Sequence, residues 1–79
     1  MTPEEAIQFL INSEALRIYE KDMAMGDPQA LRDIGSAVQT IEPSYHINWA
    51  CPDCLSTLMM KAIRIRNDHK AKFYTFPKQ

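Results

Sequence analysis

The chain predicts an all-α fold: a small three-helix domain over residues 1–69, followed by an extended aromatic and basic C-terminal tail over 70–79. Three observations carry this expectation. Thr2-Pro3-Glu4-Glu5 and Asp27-Pro28 each set a side-chain acceptor before a proline, the grammar of a helix start. Leu31, Ile34, Val38 and Ile41 recur at the three-and-four spacing of a one-sided helix. A further start at Pro52 leads into Leu55, Leu58, Met59, Ala62 and Ile65, again on one helical face.

The first helix is expected to begin at the Thr2 cap and to run to about Met25, where Gly26 offers the positive φ that helix ends favour. At about 100° per residue, Ile7, Leu10, Ile11, Ala15 and Ile18 form one apolar arc. Phe9, Leu16, Tyr19 and Met23 form a second, roughly opposite arc. A three-helix monomer this small does not bury both, so the second arc is expected to meet a partner, with cover by the C-terminal aromatics Phe73, Tyr74 and Phe76 as the intramolecular alternative.

The second helix spans about 28–41, with Ala30 and Ala37 beside its stripe, and is broken by Glu42-Pro43-Ser44. Gly35, at the margin of the stripe, costs about 1 kcal/mol relative to alanine and is expected to let a neighbouring helix approach closely. The third helix is expected from Pro52 to about Asn67, with Lys61 and Arg64 opposite its apolar face. "KAKFYTFPKQ" then reads as an extended tail or short strand ending at Pro77.

Length and charge narrow the function classes. A domain of this size buries only roughly 60% of its unfolded surface, and such chains commonly rely on a staple, a metal or a partner subunit. The net charge is −1, yet residues 1–54 carry −6 and residues 55–79 carry +5. The plainest reading is mutual neutralisation within the fold or across a subunit contact. An acidic start and the lack of any apolar run near about 18 residues point to a soluble, cytoplasmic protein without a membrane partner. Two glycines leave no phosphate-cradling loop, and no G-x-x-x-x-G-K, G-x-G-x-x-G or H-E-x-x-H is present. Glu4, Glu5, Glu14, Glu20 and Asp22 fit a solvated acidic face, so no enzyme is expected.

The densest chemistry lies in "HINWACPDC", residues 46–54, which holds the only tryptophan and both cysteines. Cys51 and Cys54 fall at the cap and third position of the third helix. Three readings follow. A structural zinc ion needs four ligands, and Cys51, Cys54 and His46 supply three; His69 would sit about 22 Å further along a continuous helix. A redox pair is similar to the tryptophan and cysteine motif of thioredoxin-like enzymes, but those have a strand before the motif, and Asp53 opposes thiolate formation. The reading we favour treats both thiols as small core hydrophobes on the face of Leu55 and Leu58, with Tyr45, Ile47 and Trp49 fastening the connection between helices. On that reading there is no cofactor.

"CPDC" followed by "LSTLMMKAIRIR", within a stretch of about residues 14–70, resembles small helical proteins of tailed phages and related mobile elements. The resemblance implies a phage or prophage origin, with host cytoplasm or virion as the location, and it assigns no activity. Such proteins include virion parts, host-factor antagonists and small regulators. The expected function is therefore a non-enzymatic interaction or assembly module that self-associates through helix one, as a homo-oligomer or within a larger protein assembly. The rival is a nucleic-acid-binding regulator that uses Lys61, Arg64, Arg66, Lys70 and Lys72 with the tail aromatics, since cations interleaved with aromatics bind phosphates and stack bases.

Overall fold

The computed structural model describes residues 1–75, with side chains through Lys70. Four helices follow one another: α1 (Pro3–Asn12), α2 (Glu14–Asp22), α3 (Pro28–Ile41) and α4 (Pro52–Thr75). The fold is all-α, as the periodicity predicts, and the described residues contain no strand. α1 packs on both α3 and α4, while α2 and α3 each pack on α4.

The helix starts obey local chemistry. The Glu5 N–H donates to Thr2 Oγ1 (3.1 Å), and the Thr2 N–H donates to Glu5 Oε1 (2.8 Å), completing a reciprocal capping box. Asp27 Oδ1 accepts from the Ala30 N–H (2.8 Å), with Pro28 at the first helical position of α3.

Helix one is not continuous, which corrects the expected three-helix count. Ser13 adopts extended backbone (φ −71°, ψ 118°) and serves as both the end of α1 and the cap of α2. Its Oγ accepts from the Leu16 N–H (3.3 Å), and its own N–H donates to the Leu10 carbonyl (3.2 Å). This single residue resolves the problem of the two arcs. On a straight helix Tyr19 would point about 180° away from Leu10. After the break, Ala6, Leu10, Leu16 and Tyr19 all enter one core, and Ile18, from the other arc, turns outward.

α2 also ends earlier than Gly26. Met23 takes the left-handed conformation (φ 59°), and its N–H closes on the Tyr19 carbonyl at 2.7 Å. Gly26 (φ 75°) then supplies a second positive φ within the turn into α3.

α3 contributes Ile34, Ala37 and Val38 to the core, and α4 contributes Leu58, Met59, Ala62 and Ile65. The last helix continues to Thr75, past the expected end near Asn67, so residues 70–75 are helical instead of extended. The remainder of the expected tail, residues 76–79, lies outside the described residues. Among the described residues, no helix is long and apolar enough to cross a membrane.

Candidate functional site

The connection between α3 and α4, residues 42–51, is held at several points. The Gln39 side-chain amide donates to the Tyr45 carbonyl (3.2 Å). Lys61 on α4 pairs with Glu42 (2.8 Å) and lies 5.5 Å from the centre of the Tyr45 ring. Ile47 and Trp49 close over Gly35: a Cβ built there would stand 2.9 Å from Ile47 Cδ1 and 2.8 Å from Trp49 Cη2. The close approach at Gly35 is therefore made by this connection and not by the neighbouring helix expected from sequence. Trp49 still leaves 47% of its surface exposed, beside a surface hollow lined by Pro28, Leu31, Arg32 and Leu55.

The connection delivers Cys51 to the start of α4. The Cys51 carbonyl accepts the Leu55 N–H (3.1 Å), the first intrahelical bond, and Cys51 Sγ accepts the Cys54 N–H (3.2 Å). A thiol thus performs the capping role usually given to a serine or aspartate. The Cys54 thiol donates to Cys51 Sγ, with the sulfurs 2.6 Å apart. That hydrogen bond is the main cause that raises the Cys54 pKa; desolvation and the negative charge of Cys51 and Asp53 add to it.

This geometry revises the cysteine readings. Both thiols are half-exposed free cysteines, so they are not the buried core residues favoured from sequence. The reason is the capping register. Positions at the first turn of α4 precede the stripe of Leu58, Met59, Ala62 and Ile65 that faces the other helices. His46 is exposed and does not join Cys51 and Cys54. Among the described residues, no group of three or more His, Cys, Asp or Glu side chains is arranged to hold a metal ion.

The expected partner set is also dispersed. Leu16 and Tyr19 are buried in the chain's own core, Phe9 is half-buried against it, and only Met23 stays well exposed, at 67%. The side chains of Phe73 and Tyr74 and all of Phe76 lie outside the described residues. A different apolar surface replaces the arc. Met23, just past the end of α2, and Met60 on α4, the latter 63% exposed, flank a shallow groove of about 210 Å³ completed by Tyr19, Glu20 and Ile63. Met60 was not singled out from sequence, although its place off the buried stripe, next to Met59, is the signal that would have found it.

The cations divide in a similar way. Arg66 is only 6% exposed: its guanidinium donates to Glu20 Oε1 (2.7 Å) and to Asn67 Oδ1 (2.6 Å). With Lys61 held by Glu42, two of the five candidate phosphate-binding residues are matched to acidic groups within the fold. Arg64 and Lys70 are exposed, and the Lys72 side chain lies outside the described residues. The two charge-opposed parts of the sequence therefore meet across α2 and α4 and across the connection and α4.

No protein-family model, no curated protein and no solved structure matches this chain.

Proposed function

We propose that this protein is a non-enzymatic interaction or assembly module whose contact surface is the α2–α4 groove, and that a second copy of the chain is its first partner. The observation that carries the reading is the exposure of Met23 and Met60 on either side of one apolar groove. Unbranched, polarizable thioether side chains adapt to varied partner shapes and are favoured on such surfaces. The size of the domain supports the same reading, because a small core gains most from surface buried against a neighbour. The resemblance of the CPDC-to-basic-helix stretch suits a phage or mobile-element setting for such a module. Against the nucleic-acid alternative stands the capture of Lys61 and Arg66 by Glu42 and Glu20, which removes cations from a phosphate-binding set.

Sedimentation velocity across a concentration series tests the proposal. The wild-type chain should associate with increasing concentration, and Met60→Glu should sediment as a monomer with unchanged helical circular dichroism, since Met60 lies outside the core. A wild-type chain that stays monomeric into the high micromolar range would refute self-association. Retention of the assembly by Met60→Glu would move the contact away from this groove.

A further inference from the structure

Beyond the cap that Cys51 provides, the cysteine pair takes no part in the α2–α4 groove, and its two sulfurs lie 2.6 Å apart. We propose that Cys51 and Cys54 form a reversible intramolecular disulfide, with a low-molecular-weight disulfide such as oxidised glutathione as the oxidant. The proposal stands independently of the α2–α4 groove.

Register and accessibility carry the argument. Cα atoms three residues apart around a helical turn are separated by about 5 Å, inside the roughly 4.4–6.8 Å span of protein disulfides, so the bond requires no rearrangement of the helix axis. The sulfurs are already in contact, and each cysteine is partly open to solvent. The two thiols also differ in their surroundings. Cys51 Sγ accepts the Cys54 N–H (3.2 Å) at the amino end of α4. Cys54 faces its neighbour's sulfur and the Asp53 carboxylate, which disfavour its thiolate.

That asymmetry sets the order of events. The Cys51 thiolate attacks one sulfur of the small disulfide, forming a mixed disulfide on Cys51 and expelling one small thiolate. Cys54 then loses its proton and attacks Cys51 Sγ, forming the Cys51–Cys54 bond and expelling the second small thiolate. The two expelled thiolates take up the two protons that the protein thiols release. Overall, one protein dithiol and one small disulfide become one protein disulfide and two small thiols, and an excess of the small thiol reverses the reaction.

The test equilibrates the full chain with mixtures of oxidised and reduced glutathione, quenches with acid, alkylates the remaining thiols and reads intact mass. Oxidising mixtures should remove both alkylatable thiols together, with a loss of two hydrogens and no lasting glutathione adduct, and reducing mixtures should restore them. Cys54→Ser should accumulate one glutathione on Cys51, faster than Cys51→Ser accumulates one on Cys54. Stable glutathione on both cysteines of the wild-type chain would overturn the proposal. So would two thiols that stay alkylatable throughout, or a stoichiometric zinc ion that shields both. Equal trapping rates in the two serine variants would overturn the assigned order of attack.

Discussion

Gly35→Ala is the sharpest probe of how the α3–α4 connection is held. On an exposed helical surface this change stabilises by about 1 kcal/mol, because alanine has the better helix propensity. Here the new methyl group would stand 2.8 and 3.0 Å from two atoms of the Trp49 ring and 2.9 Å from Ile47 Cδ1. Carbon atoms prefer separations of about 3.5–4.0 Å, so the ring and the isoleucine must each retreat by roughly 0.6–1.2 Å. Inserting a methyl group into a packed contact costs typically about 1–3 kcal/mol. Set against the propensity gain of about 1 kcal/mol, the net expectation is a loss of up to about 2 kcal/mol. Because almost half of Trp49 already faces solvent, the ring should yield by swinging outward. Urea unfolding followed by circular dichroism measures the first effect, and the emission maximum of this single tryptophan, moving to longer wavelength, reports the second. The same change made in a Trp49→Ala background should cost less, since one of the two obstacles is gone and neighbouring changes couple. If Gly35→Ala is stabilising by about 1 kcal/mol with unchanged emission, the close packing of Trp49 on α3 is refuted.

Further expectations follow from other contacts. Ser13→Ala removes the Oγ that caps α2 and should cost about 1 kcal/mol in chemical denaturation; an unchanged midpoint would mean that the break between α1 and α2 does not depend on that cap. Glu20→Ala leaves the buried Arg66 guanidinium with Asn67 as its remaining side-chain partner, and since Glu20 is itself half-exposed the expected loss is about 1–3 kcal/mol. Equal stability of this variant and the wild type would argue that Arg66 is satisfied without Glu20. Cys51→Ala removes the first cause of the raised Cys54 pKa, so the pH profile for alkylation of Cys54 should move down toward that of an ordinary thiol. The same shift bears on stability. A thiol whose pKa is higher folded than unfolded holds its proton more firmly in the native state, so its contribution is present below the unfolded pKa and is lost as pH rises through the folded one. Wild-type stability should therefore decline in alkaline solution by more than that of Cys51→Ala, as a pH series of melting curves would show.

The starts of α1, α3 and α4 were legible from sequence because their causes lie within one turn. Thr2 with Glu5, Asp27 with Ala30, and Cys51 with Cys54 are contacts three residues apart, and the proline that follows each cap fixes the backbone for them. The stripes of α3 and α4 were legible for the same local reason, since helical periodicity alone decides which residues share a face. The Ser13 break was signalled only indirectly, by two apolar arcs that one straight helix could not bury together. A single extended residue changes the direction of everything after it, so Leu16 and Tyr19 of the second arc enter the chain's own core while Met23 stays exposed.

What sequence by itself determined is thus the class of the fold, the places where α1, α3 and α4 begin and the faces of α3 and α4 that enter the core. Tertiary structure decided the rest. It turned Leu16 and Tyr19 inward and left Met23 and Met60 flanking a groove. It also joined Arg66 to Glu20 across 46 positions, and it kept the cysteine pair at a half-exposed helix start. Capping and periodicity act over about four residues and can be read along the chain. Burial and ion pairing depend on which elements meet in space, and that is settled only when the whole core closes.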